Sequence, residues 1–120
     1  MTKKDTAIEF LKLAYSGNAR EAYGKYVHLD FTLHNVFHKG DRESLIVAME
    51  EALAKNPNKS FEVLHALEDG NLAAVHTHVT KEDGTEFAVV HIFRFKDKKI
   101  IELWDIGMAV PKDLPLKENL

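Results

Sequence analysis

Apolar residues recur at two different spacings along this chain, helical in the first half and strand-like in the second. Ala7, Phe10, Leu11 and Ala14 fall one helical turn apart, with Lys3, Lys4, Glu9 and Lys12 elsewhere on the wheel. Thr2 supplies a cap and Asp5 a negative charge in the first turn; Gly17-Asn18 ends the helix. A shorter helix over residues 19–27 carries Ala22, Tyr23, Tyr26 and Val27. Residues 29–35 alternate as a short strand and lead into a loop ending at Gly40. Asp41 then caps a third helix, with Leu45, Ala48, Met49, Ala52 and Leu53 on one stripe, stopped by Asn56-Pro57-Asn58.

From residue 61 the spacing changes. Residues 61–67, 72–80, 87–95 and 100–106 are rich in β-branched and aromatic residues, and turn chemistry at Asp69-Gly70, Asp83-Gly84 and Lys96–Lys99 separates them. This predicts four strands in an antiparallel meander. Helices gathered before a meander imply an α+β fold, with the helices on one face of a curved antiparallel sheet. One domain over residues 1–120 is expected, with a tail from Pro111 that wraps the surface or frays.

Register decides which side chains meet. With Asp83 and Gly84 as the two central turn residues, His76 falls opposite His91 and His78 opposite Val89. At Lys96–Lys99 a two-residue loop pairs His91 with Trp104, and a three-residue loop pairs it with Asp105. The three-residue loop is the reading taken, because it sets Arg94 against Glu102 as an opposite-charge pair. It also gathers Phe87, Val89, Phe93, Phe95, Ile101 and Leu103 on the face of His91. A two-residue turn at Asp69-Gly70 adds Phe61, Val63 and His65 to the face of His76 and His78. The expectation is a row His76–His91–Asp105 across three strands on an apolar surface. A carboxylate beside an imidazole fixes its tautomer and stabilises its protonated form, as acid–base chemistry requires. The competing reading is a polar core in which these groups satisfy one another. Tyr15, Tyr23 and Tyr26 are either core aromatics or hydroxyls aimed into a pocket.

Composition narrows the function classes. With 45% hydrophobic and 29% charged residues the chain is an ordinary soluble globular protein, and a net charge of −3 offers no footprint for nucleic acid and no basic membrane patch. The N-terminus lacks an apolar signal core, and no apolar run reaches membrane-spanning length. Zero cysteines exclude thiol catalysis and Cys-ligated zinc and agree with a cytoplasmic setting. Among the seven histidines, His76, His78 and His91 with Asp105 would make a donor set for zinc or iron. Their spacing and apolar surroundings argue against it, so neither metal nor cofactor is expected.

The segments Ala88-Val-Val-His-Ile-Phe-Arg-Phe95 and Lys99-Ile-Ile-Glu-Leu-Trp-Asp-Ile106 resemble the nuclear transport factor 2-like superfamily, and within it the SnoaL-like polyketide cyclases. His34-Asn35 before a Gly40-containing loop, and Asp69-Gly-Asn-Leu-Ala-Ala-Val-His76, add to the resemblance, which spans essentially the whole chain. It implies a conical α+β barrel with a deep apolar pocket between sheet and helices. It further implies acid–base chemistry by a His and an Asp on adjacent late strands, here His91 and Asp105, in an intramolecular aldol closure. Ketosteroid isomerases of the same superfamily carry a base near the position of His34-Asn35, where this chain has no carboxylate.

The expected function is therefore cofactor-free proton transfer on a small apolar carbonyl compound. His91 and Asp105 would be catalytic, with His76, His34, Asn35, His78 and Phe93 around the substrate. Alternatives are a pocket that binds without turnover and a dimeric structural domain. A homodimer is expected through Ala88, Val90, Ile92, Ile100, Trp104 and Ile106 on the outer face.

Overall fold

The computed structural model describes residues 1–35 and 41–113. The Gly40-containing loop and most of the tail predicted from Pro111 lie outside the described residues. Chain order is α1 (Lys3–Tyr15), α2 (Ala19–Tyr26), β1 (Val27–His34), α3 (Arg42–Lys55), β2 (Asn58–Asp69), β3 (Leu72–Lys81), β4 (Glu86–Lys96) and β5 (Lys99–Ala109).

The helix ends follow the local chemistry. Thr2 and Asp5 form a reciprocal capping box at α1, and the Asp41 carboxylate accepts the Ser44 amide at the start of α3. Such caps contribute about 1 kcal/mol each.

The strands form one five-stranded sheet in the order β1-β5-β4-β3-β2. Strands β2 to β5 are the antiparallel meander, and β1 adds itself parallel to the outer edge of β5. The sheet does not close, since β1 and β2 are both edges. Four irregularities bend it, one in the β1–β5 ladder, two in β2–β3 and one in β4–β5.

One face carries the core. Ala73, Val75, Thr77 and Val79 alternate inward along β3, and His91, Phe93 and Phe95 along β4. Helix α1 lies across β2 and β3. Its Phe10 meets Phe93 edge-on at 6.0 Å and Tyr23 of α2 at 5.3 Å, so one aromatic ties two helices to the sheet. Burial of side chains of this size is worth about 1.5–3 kcal/mol each. No helix among the described residues is long and apolar enough to cross a membrane.

Three register expectations are corrected, each by one residue. The β3–β4 connection is a three-residue loop, Glu82-Asp83-Gly84, closed by the Lys81 amide donating to the Thr85 carbonyl at 2.8 Å. Gly84 at φ +88° makes the positive-φ step that ends such a loop. Val75 is therefore opposite His91, and His76 and His78, facing Val90 and Ala88, turn to the outer face. In the β2–β3 hairpin the turn residues are Gly70-Asn71, and Leu64 is bulged, so Phe61 and Val63 face inward while His65 joins His76 outside. The β4–β5 turn is the tight Asp97-Lys98, with Asp97 at φ 56°; the extra residue is Ile101, bulged between Ile100 and Glu102. Ile100 thus enters the core, fully buried, instead of the outer face.

Candidate active site in the helix-covered cavity

Between the helices and the inner sheet face is a cavity of about 230 Å³. Its apolar wall comes from Phe10, Leu11 and Ala14 of α1 and from Leu45, Met49 and Leu53 of α3. The polar groups in its lining are Tyr15, Tyr23, Lys81, His91 and Asp105.

His91 and Asp105 are cross-strand partners on β4 and β5. The ladder reaches the expected pairing, and Arg94 stands opposite Glu102 with Nε and Oε1 2.9 Å apart. The route is the bulge at Ile101, because a tight turn without it would place Trp104 opposite His91. His91 is buried, at 3% exposure, and its Nε2 shares a hydrogen bond of 3.3 Å with the Tyr15 hydroxyl, its direction following the imidazole tautomer. The ring stacks on Phe93, 6.1 Å away, so Phe93 supports the imidazole from behind rather than lining the cavity. Nδ1 of His91 is buried with no hydrogen-bond partner. A buried polar atom left unsatisfied costs about 1–3 kcal/mol. Asp105 therefore acts on the imidazole through its charge, not through a hydrogen bond to Nδ1.

Two opposed effects act on that imidazole. Burial pulls its pKa below the ordinary value and Asp105 pushes it back up, with burial the larger effect. The outcome is a neutral ring able to take a proton, beside a carboxylate able to stabilise the cation so formed. Burial, then the charge of Asp105, raises the Tyr15 phenol well above its usual value, so it stays a proton donor at neutral pH. Tyr23 is pushed up to about 12 for the same reasons.

The remaining predicted site residues separate into two groups. His34 and Asn35 border an open groove at the β1 edge that shares Leu33 and Asp105 with the cavity. His34 is stacked on Trp104 at 4.7 Å and bonded to Glu102 at 3.0 Å. His76 and His78 are not in the cavity. On the outer face His76 stacks against His65 with their Nδ1 atoms 3.0 Å apart, and His78 Nε2 contacts Glu86 at 2.8 Å. The metal donor set of His76, His78 and His91 is thus divided between two faces of the sheet. Tyr15 was open in the sequence between core aromatic and pocket hydroxyl, and here it is both: its ring stacks on Phe61 at 5.2 Å and its hydroxyl meets His91. Lys81 has no sequence signal; the fold brings the hairpin end of β3 to the C-terminal end of α3, where its ammonium meets the Asn56 carbonyl and lines the cavity.

Solved structures share this architecture. IdmH, a candidate polyketide cyclase from Streptomyces antibioticus, superposes with a TM-score of 0.73 at 18% identity, over 89% of this chain and 92% of that one. An NTF2-like protein of unknown function from Cytophaga hutchinsonii gives 0.70 at 19% identity, over 94% of each chain. AclR, a candidate hydroxylase from Streptomyces galilaeus, gives 0.72 at 17% identity, over 91% of this chain and 80% of that one. At these identities the likeness establishes the fold and not the reaction. Among curated proteins none matches the chain. The SnoaL-like domain family matches residues 7–103, which take in both α1 and the His91 strand. This chain belongs to the SnoaL-like domain family of NTF2-like α+β folds.

Proposed function

We propose that the cavity holds a small apolar carbonyl compound and that His91 and Asp105 move a proton at the carbon α to its carbonyl. The observation that carries this reading is a buried, neutral imidazole paired across the ladder with a carboxylate, in the wall of an apolar cavity. His91 takes the α proton; the charge of Asp105 stabilises the imidazolium. Tyr15, held in its protonated form, donates to the developing enolate oxygen, where a fixed donor in a dry site is worth most. The imidazolium of His91 then returns the proton, either to another carbon of the conjugated enolate, giving isomerisation, or to the alkoxide formed when the enolate adds to a second carbonyl, giving an aldol closure. His34 and Asn35, in the adjoining groove, orient the part of the substrate that reaches Asp105.

The reading is tested by following hydrogen–deuterium exchange at the α carbon of small cyclic diketones by NMR. Exchange well above the buffer rate in wild type, and its collapse in Asp105→Asn, is expected. Exchange at the buffer rate in wild type across such a panel would falsify it, leaving a pocket that binds without turnover.

A homodimer through the outer sheet face belongs to the same proposal. Leu67, Ile106 and Met108 stand on that face at 69%, 60% and 71% exposure. Light scattering should return twice the chain mass; a monomer at working concentration removes this part.

A further inference from the structure

The catalytic proposal leaves one charged group in the cavity lining without a task. Lys81 closes β3 at its hairpin end and lines the cavity together with Tyr15, Leu53 and Met49. Among the described residues it is the one lysine or arginine in that lining. Its ammonium donates to the carbonyl of Asn56, the residue that ends α3, at 3.2 Å. That bond uses one of three N–H donors. Among the described residues, no carboxylate forms an ion pair with it. The nearby Asp83 is committed elsewhere, one oxygen accepting the Asn56 amide at 3.1 Å and the other the Thr85 backbone at 2.9 Å.

The ammonium is partly buried and has one hydrogen-bond partner among the described residues. Burial accordingly lowers its pKa. A lysine whose only task is to satisfy the end of a helix is better served in water, where the desolvation cost is absent. Here the cation sits instead on the wall of the cavity, beside the apolar Leu53 and Met49.

The position also separates two chemistries. Lys81 lies six residues along β3 from Val75, the residue opposite His91, so cation and proton-transfer pair mark different ends of the site. The Asp105 end carries negative charge, which repels an anion and suits a neutral carbonyl. At the other end the Lys81 ammonium attracts an anion, with the charge of exposed Asp83 nearby working against it.

From this we infer that the cavity selects apolar carbonyl compounds that carry one anionic group, carboxylate-like in charge, and that Lys81 holds that group. Lys81 is then a specificity-determining residue, and it orients the substrate with its neutral end toward His91. The inference rests on the proposal above that the cavity binds an apolar compound.

The test uses a matched pair of probes, 4-phenylbutanoate and its neutral analogue 4-phenylbutanamide. Each is titrated by calorimetry, with the NMR signals of Tyr15 and His91 reporting that binding is in the cavity. Wild type should bind the carboxylate about tenfold or more tightly over the amide, as a charge-assisted contact implies. Lys81→Gln keeps an N–H donor for the Asn56 carbonyl but removes the charge, and should bind the two probes alike. Equal binding in wild type, or a preference that survives in Lys81→Gln, overturns the role of Lys81 while the apolar cavity stands. Failure of both probes to perturb Tyr15 and His91 removes the cavity reading and this inference together. If Lys81→Gln does not fold, Lys81→Met and the wild-type ratio decide the matter.

Discussion

Asp105 stands across the ladder from His91 because a single residue, Ile101, is bulged out of β5. The pair is joined by charge alone, and this makes a signed prediction. Asp105 raises the imidazole pKa against the larger effect of burial. In Asp105→Asn the ring should become still harder to protonate, and an NMR titration of its ring protons would show a lower midpoint than wild type. An unchanged midpoint would mean that the two groups do not sense each other. On an identified substrate the same variant should lose about 10²–10⁴-fold in turnover, the range of general acid–base catalysis.

Removing the hydroxyl of Tyr15 leaves its stacking on Phe61 intact but deprives His91 Nε2 of its partner. Tyr15→Phe should destabilise the fold by about 1–3 kcal/mol, the cost of an unsatisfied buried group. Urea denaturation measures this, and a variant as stable as wild type would show that the hydrogen bond contributes nothing. The alkaline absorbance titration should also lose one late-ionising phenol, since Tyr15 is raised well above its usual range.

Stability should depend on pH through His91 in a definite direction. Its folded pKa lies below the ordinary value of 6.5, so as pH falls the unfolded chain binds a proton first. The contribution of neutral His91 is complete above the unfolded value and is lost as pH falls through it toward the lowered folded value. The melting temperature of wild type should therefore drop more steeply below pH 6.5 than that of His91→Gln. Exposed histidines titrate in both proteins, so the difference in slope isolates His91. Parallel slopes would contradict its burial as a neutral ring.

Gly84 turns the β3–β4 hairpin at φ +88°, with open space where a Cβ would sit. Gly84→Ala meets no clash, so its cost is the left-handed backbone alone, about 1–2 kcal/mol. Thermal denaturation should show that loss with the NMR signals of His76 and His91 unmoved. A variant that instead exchanges their environments would have slipped register and turned a strand over.

How much was legible varies with the kind of signal. The caps at Thr2 and Asp41, the strand runs and the Arg94–Glu102 pair were all plain in the sequence, because each depends on residues whose spacing is local or symmetric. The row containing His76 was not. An Asp-Gly turn is compatible with a two-residue or a three-residue loop, and only the energetics of a whole buried face chooses between them. The bulges at Leu64 and Ile101 carry no local mark for the same reason: each adds one residue where the curvature of the sheet under the helices requires it. The His91–Asp105 pairing was reached through a three-residue loop, whereas the fold uses a tight turn and a bulge.

The sequence by itself determined the elements, their order and the family, since hydrophobic period, capping residues and turn dipeptides are properties of neighbours along the chain. Tertiary structure decided which histidine faces the cavity, that the Tyr15 hydroxyl reaches His91, and that Lys81 joins the lining. Those outcomes depend on one-residue shifts between strands and on how α1 and α3 meet the inner face of the sheet around the cavity. Packing of the entire inner face sets both, and no short stretch of sequence contains that information.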